Sequence, residues 1–349
     1  MKILILGGTG AMGKHLVELL QNEEIYVTSR KKHKSTNTTT YLQGDAHNLY
    51  FLKAVLTNYF DVIIDFMFYN TEEFKERCRL LLNSCNQYIY LSSSRVYSNT
   101  SELITESTPT LLNTCKDSDY LATDEYALTK ARQENILQAT GKNWTIIRPY
   151  ITYSENRLQL GVLEKEGWLY RALHGRTIIF SQDIAQKTTT LTYGLDVAKG
   201  ISALINRPEA LCETYHITAS KGIKWEEVLT IYLDVFEQQF GYRPKIIMTE
   251  RAMNLSDPLL KYQVTYDRLH DRLFNNAKIG KFIDTSRFIT PQEGLRKCTE
   301  SFLKHPYFST ISGKFEGKKD RLSNETTSYR EFTSLRQKIA YLVYRHTSL

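Results

Sequence analysis

The chain has 349 residues, 42% of them hydrophobic and 24% charged, the make-up of a globular protein with one large core or two closely packed ones. Its net charge of +7 suits anionic ligands without singling out nucleic acid. No apolar run reaches the roughly eighteen residues of a membrane span, and the five cysteines form no Cys-x-x-Cys pair, so reduced thiols and no metal site are expected. Met1-Lys2 passes straight into the first apolar run, which predicts a cytoplasmic chain without a leader.

Ile3–Leu6 is a short, branched apolar run, the pattern of a buried strand. Gly7, Gly8 and Gly10 follow in a turn, and Leu16, Val17, Leu19 and Leu20 then mark a helix. A strand feeding a helix through glycines lets backbone N–H groups approach a pyrophosphate. Gly7, Gly10, Ala11, Met12 and Gly13 are therefore candidate cofactor contacts. Ile25–Thr28 is the second strand. Where an NAD-selective site would carry an acid, the chain carries Ser29 and Arg30, then Lys31, Lys32, His33 and Lys34. A hydroxyl and a guanidinium would bind the 2′-phosphate of NADP(H); a solvated basic loop is the other reading.

Tyr41–Asp45 reads as a third strand whose last residue either faces an adenine amino group or caps the next helix. Asp61–Phe66 is a further buried strand, 70–85 a helix, and Tyr88–Leu91 a strand running into Ser92-Ser-Ser-Arg-Val-Tyr97. This alternation defines an α/β chain with a Rossmann-like, doubly wound parallel sheet. A polar loop spans 98–120, a strong helix 124–137, and Trp144–Ile147 a strand closed by Arg148-Pro149. The pattern divides the chain into a dinucleotide-binding domain over 1–150, a smaller mixed substrate region over 151–308, and a basic tail over 309–349. Asp196 is expected to cap a helix within 191–204, Tyr215–Thr218 to form a strand, and Trp225–Phe240 a second helix. Residues 310–349 hold eight Lys/Arg against four Asp/Glu. A helix over 335–344 would carry Leu335, Ile339, Leu342 and Val343 on one face, to pack on its own domain or to meet a partner or membrane surface.

Tyr126 and Lys130 stand four residues apart, on one face of their helix. A tyrosine of ordinary pKa, about 10, exchanges protons poorly at neutral pH, and a neighbouring ammonium would stabilise its phenolate. Ser92, Ser93 and Ser94, at a strand end, offer a hydroxyl for a substrate oxygen.

These features resemble the extended short-chain dehydrogenase/reductase superfamily, the group containing NAD-dependent nucleotide-sugar epimerases, dehydratases and reductases. The resemblance rests on Gly7-x-x-Gly10-x-x-Gly13, Ser92-Ser-Ser-Arg-Val-Tyr97, Tyr126-x-x-x-Lys130, Arg148-Pro149 and Asp196-Val-Ala, and runs to about residue 305. It implies Ser93 as the catalytic hydroxyl, Tyr126 as acid/base and Lys130 as its orienting cation. It also implies that Arg148-Pro149-Tyr150 lies beside the nicotinamide, with Lys130 reaching its ribose, and that Tyr150 contacts the cofactor. Only 28 positions separate Asp65 from Ser93, room for a single helix, which counts against the homodimer common in the superfamily. The pattern around Asp65, Tyr88 and Arg148 is also similar to an atypical branch that includes chloroplast stem-loop RNA-binding proteins.

The leading reading is an NAD(P)-dependent epimerase or reductase of a nucleotide-activated sugar, with NADP(H) favoured and NAD(H) as the alternative. A dehydratase is disfavoured because Arg95 stands where β-elimination uses an acidic pair. The competing reading is a non-catalytic NADP(H)- or RNA-binding protein, although the scattered Lys/Arg form no contiguous stripe that would favour nucleic acid. Arg157, Trp168, Arg171, Tyr193 and Arg268 are candidate substrate contacts.

Overall fold

A computed structural model describes residues 1–252 and 260–347. Seven strands build one sheet: β1 (Lys2–Leu6), β2 (Glu24–Ser29), β3 (Thr39–Gln43), β4 (Phe60–Asp65), β5 (Cys85–Leu91), β6 (Trp144–Pro149) and β7 (Glu213–Ile217). The longer helices are α1 (Gly13–Leu19), α2 (Leu49–Val55), α3 (Thr71–Asn83), α4 (Tyr126–Gln138) and α5 (Lys165–Leu173). They continue with α6 (Gly194–Leu204), α7 (Trp225–Phe240), α8 (Pro291–Lys304), α9 (Gly313–Ser323) and α10 (Leu335–His346). The chain forms two compact units. The first takes Met1–Thr152, Thr190–Ser220 and Phe274–Ile289; the second takes Tyr153–Thr189, Lys221–Leu273 and Thr290–Leu349.

The sheet of the first unit runs β7-β6-β5-β4-β1-β2-β3 and every pairing is parallel. Strand order reverses between β1 and β4, where Leu6 lies opposite Asp65, so the crevice at the carboxyl ends opens there. Alternate residues of each strand serve opposite faces. Ile3, Ile5, Val27, Val62 and Ile64 pack with Leu16 of α1 and Val197 and Ile201 of α6. Leu4, Leu6, Ile63, Tyr88 and Tyr90 pack with Leu52, Phe74 and Leu137 of α2, α3 and α4. Burial on both faces explains the unbroken apolar runs in the sequence. Helix α3 starts at Thr71 because the Asn70 side chain accepts from the Glu73 N–H while Glu73 reaches back to the Asn70 N–H.

One expectation is corrected here. Asp196 does not cap α6; Tyr193 holds that position, and the Asp196 carboxylate accepts from the Ile289 N–H at 2.9 Å and from Lys199 at 2.8 Å. It fastens a distant loop to the first turn of the helix. The loop over 98–120 also contains two single-turn helices, Leu111–Thr114 and Ser118–Leu121.

In the second unit, α7 packs on α8, and the buried Tyr232 stacks on Trp168 with centroids 4.3 Å apart. Ile178–Ser181 and Ile246–Thr249 form a parallel pair. Helices α9 and α10 make a tight hairpin. A Cβ at Gly313 would stand 1.9 Å from the Gln337 carbonyl, and one at Gly317 would stand 2.6 Å from the Tyr341 carbonyl, so the hairpin requires both glycines.

A buried ionic cluster holds this hairpin. Arg171 is fully buried and donates to Glu316 at 2.7 Å, Asp320 at 2.8 Å, Glu325 at 2.9 Å and the Thr177 carbonyl at 2.8 Å. Arg176 donates to Glu331 at 2.6 Å, and Lys319 to Glu316 at 3.1 Å. All four tail acids thus point inward to cations. Burial works against the Arg171 charge, yet Glu316 and Asp320 hold its pKa above the ordinary guanidinium value. Despite their own burial, Asp320 and Glu325 stay below the ordinary carboxylate range, held there chiefly by Arg171 for the former and the Thr177 hydroxyl for the latter.

Candidate active site

The glycine-rich turn lies where β1 meets α1, at the carboxyl edge of the sheet. Gly7 has φ +70°, a conformation that favours glycine, and its N–H donates to the Thr28 hydroxyl of β2 at 3.2 Å. A Cβ on Gly13 would lie 2.6 Å from the backbone of Gly8, so the helix can start this close to the turn only with glycine there. Gly10 differs. It is exposed, and a Cβ there would meet only the Gly7 carbonyl, at 3.9 Å. The turn is therefore tight underneath and open above, a cradle that fits the diphosphate of a dinucleotide. Ala11 and Met12 are half-buried beside it, with the Met12 sulfur 3.8 Å from the Thr152 hydroxyl.

At the end of β2, Ser29 is buried and its Oγ accepts from the Lys31 N–H at 3.2 Å, while Arg30 is exposed. Asp45 is exposed too. Its carboxylate accepts from the His47 N–H at 3.0 Å, and the next helix is capped by Asn48. Of the two readings of Asp45, the turn is the contact observed; the N-cap itself falls to Asn48.

The three serines after β5 separate sharply. Ser92 bonds Glu134, and Ser94 donates to the Arg148 carbonyl at 2.8 Å, so both are fixed in the interior. Ser93 opens a 3-10 turn, and its Oγ accepts from the Arg95 N–H at 3.2 Å. The Arg95 guanidinium then lies 5.3 Å from the Tyr126 ring centroid and donates to Glu125 at 2.6 Å. Arg95 thus meets Ser93 through its backbone and Tyr126 through its guanidinium.

Tyr126 is the first residue of α4, whose start Glu125 caps by accepting from the Ala127 N–H at 2.8 Å. Its ring stacks on the exposed Phe68, 5.6 Å between centroids. Among the described residues its hydroxyl makes no hydrogen bond, and so it is not joined to Lys130. Lys130 is instead 3% exposed, donates to the Leu91 carbonyl at 2.7 Å and lies 4.6 Å from the Tyr90 ring centroid. Burial pushes its ammonium down to about 8, against the opposing pull of Asp65 and Glu134.

Beneath these residues the inner face of α4 is polar. Gln133 bonds Tyr90 and donates to the Tyr69 carbonyl at 2.8 Å. Glu134 holds Arg148 through two bonds, at 2.9 and 2.5 Å. Asp65 accepts from Tyr88 at 2.8 Å and from the Met67 N–H at 2.9 Å, yet burial keeps its carboxyl above the ordinary range. The charge of Arg148 is therefore neutralised inside the fold, and Tyr150 is buried against Phe274, 5.2 Å between centroids. Arg95 stands in the neighbourhood expected from the serine run, whereas Phe68, Glu125 and Glu134 join the site without being foreseen as members. Only Glu134, one helical turn after Lys130, carried a signal in its spacing.

Fold and site together describe a doubly wound protein with a glycine-rich cradle, and with a serine, a tyrosine and a lysine at the carboxyl edge of its sheet. Residues 1–250 match the RmlD substrate binding domain family, so the chain belongs to that family, within the extended short-chain dehydrogenase/reductase superfamily. It is 26% identical over 243 residues to chloroplast stem-loop binding protein of 41 kDa b from Arabidopsis thaliana. That match takes in 64% of this chain and spans 60% of the relative's length. Among solved structures, UDP-glucuronic acid 4-epimerase from Bacillus cereus, in complex with UDP-glucuronic acid and NAD, superposes with a TM-score of 0.64 at 16% identity, covering 88% of this chain and 100% of the other. The enzyme WbmH from Bordetella bronchiseptica, in complex with NAD+, gives 0.66 at 12% identity over 88% and 99%. No helix among the described residues is long and apolar enough to cross a membrane.

Proposed function

We propose that the protein is an NAD(P)-dependent epimerase or reductase acting at a secondary alcohol or carbonyl carbon of a nucleotide-activated sugar. The observation that carries this reading is that Ser93 and Tyr126 both contact Arg95, one at its backbone and one at its guanidinium, with Lys130 buried one turn further along the tyrosine's own helix. In this reading Tyr126 exchanges the proton of the sugar hydroxyl, and the Ser93 hydroxyl, whose oxygen already accepts from Arg95, donates to the same sugar oxygen. Lys130 supplies positive charge below the phenol. The Gly7–Gly13 cradle binds the diphosphate of the cofactor, and Ser29 and Arg30 read the ribose end, favouring NADP(H). The dinucleotide supplies the hydride chemistry, kept bound through the cycle by an epimerase and released oxidised by a reductase.

The other candidate substrate contacts have partners of their own. In the π-helical turn Val264–Arg268, the buried Arg268 bonds Asp267, and Arg272 reaches the same carboxylate at 3.2 Å. Arg171 is committed to the tail acids, Trp168 to Tyr232, and Arg157 to Glu164 at 3.4 Å; Tyr193 lies edge-on to His15 at 5.4 Å.

The test is Tyr126→Phe, assayed with UDP- and dTDP-linked sugars by nicotinamide absorbance and by chromatography of the sugar product. A general acid–base role predicts a loss of about 10²–10⁴-fold in turnover, with dinucleotide affinity retained. Unchanged turnover would overturn the mechanism. The sequence relation to a stem-loop binding protein favours a second reading, RNA binding without turnover. It predicts RNA affinity that falls steeply with salt and is indifferent to Tyr126→Phe.

A further inference from the structure

Helix α10 has two contrasting sides. Its inner side is occupied: the Gln337 side chain accepts from the Gly313 N–H at 2.6 Å, and the buried Tyr341 donates to Asp320 at 2.8 Å. Its outer side carries Leu335, Ile339, Leu342 and Val343, exposed by 72, 53, 41 and 38%. At 3.6 residues per turn these four fall on one stripe, directed away from α9. The apolar face anticipated in the sequence is real, and it is turned outward.

The edges of the stripe are cationic. Arg336 borders one side, Lys338 and Arg345 the other, and no Asp or Glu occurs anywhere in 332–349. The tail acids further back, Glu316, Asp320, Glu325 and Glu331, are all bonded inward to Arg171, Arg176 or Lys319. The inward pairing of the acids therefore leaves the outer face of the hairpin positive.

We propose that α10 docks the protein on an anionic lipid surface, the helix lying in the plane of the interface. An apolar stripe bordered by cations on both sides is the design of an interfacial helix, with long basic side chains reaching the headgroups while the stripe enters the acyl boundary. Twelve residues make about 18 Å of helix, too short to span a bilayer. A second copy of the chain is a poor occupant, since its stripe would bring like charges to both edges and no acid to pair with them. A protein groove would need acids placed along both rims, whereas an anionic bilayer presents them uniformly. This proposal stands apart from the reading of the active site.

The experiment is flotation of the full chain with phosphatidylcholine vesicles, with and without about one-third phosphatidylserine. The chain floats with the anionic vesicles and stays behind with the neutral ones. Replacing Leu335, Ile339, Leu342 and Val343 together by Ser abolishes flotation, with helical circular dichroism and the melting temperature measured alongside to show that the chain stays folded. Replacing Arg336, Lys338 and Arg345 by Gln weakens partitioning by about a hundredfold. Absence of flotation with anionic vesicles overturns the proposal, even if an acidic protein is bound instead. Equal flotation of the serine variant overturns it as well, and so does concentration-dependent dimerisation that the serine variant abolishes.

Discussion

Each unit of the molecule buries an ionic cluster, and the two are poised in opposite ways. Around Arg171 the guanidinium lies above its ordinary pKa, while Asp320 and Glu325 lie below theirs. Lys319, pressed down by burial, departs from that pattern. Around Lys130 burial prevails. The ammonium is lowered to about 8, and the Asp65 carboxyl is raised although it accepts two good hydrogen bonds. The first cluster is a staple, held ionised by partners at 2.7–2.9 Å. In the second, burial weakens the charge of Lys130, the state expected of a group that moves protons or tunes one rather than fastening elements.

Breaking the staple has the largest expected effect on stability. Arg171→Met leaves Glu316, Asp320 and Glu325 short of their common partner, two of them deeply buried, and removing one side of such a pair costs about 3–5 kcal/mol. Urea unfolding measures the loss, and limited proteolysis should find new cuts in the α9–α10 hairpin. A change below about 1 kcal/mol would mean that the hairpin is held by the Gly313 and Gly317 contacts instead.

Lys130→Met breaks the other cluster with the reverse signature. If Lys130 supplies charge to Tyr126, turnover falls by roughly a hundredfold, and the decline of wild-type activity as pH rises through about 8 disappears. Stability moves differently. The unfolded chain keeps this proton up to 10.5 and the folded chain only up to about 8, so folding is disfavoured below 8 and gains stability as pH rises through that window. The methionine variant should lack that rise and be no less stable than wild type at neutral pH. A Lys130→Met protein as unstable as Arg171→Met would assign Lys130 to structure.

The two clusters were also unequally legible in the sequence. Gly7, Gly10 and Gly13, the Tyr126/Lys130 spacing and the serine run are local patterns, and a local pattern is enough to set a turn or a helix face. What joins them is not local. Glu134 meets Arg148 across fourteen residues, and Arg171 meets Glu316 across 145, so neither pairing leaves a periodic trace. The tail was legible only in part for the same reason. Its count of eight cations against four acids is correct, but only the fold shows that the acids point inward and the apolar face of α10 points out. Asp196 shows the limit of capping rules: an acid near a helix start can serve the first turn by binding another segment, here the Ile289 N–H.

The smallest expected effect concerns the far end of the proposed cofactor site, where neither cluster reaches. Ser29 already accepts from the Lys31 N–H and is buried, so its hydroxyl oxygen is partly engaged, whereas Arg30 stands exposed one residue beyond the strand. Discrimination of a 2′-phosphate would then fall mainly to Arg30. An exposed charge-assisted contact contributes about 1 kcal/mol or less, so Arg30→Ala should weaken NADP+ by about fivefold and leave NAD+ unchanged in calorimetric titration. Because the contact is exposed, the difference should also shrink as salt is raised toward 1 M, where the Debye length falls to about 3 Å. Equal binding of NAD+ and NADP+ by the wild-type protein would remove the NADP preference while leaving the cradle at Gly7–Gly13 intact. A loss of both cofactors in the variant would instead place Arg30 against the part they share.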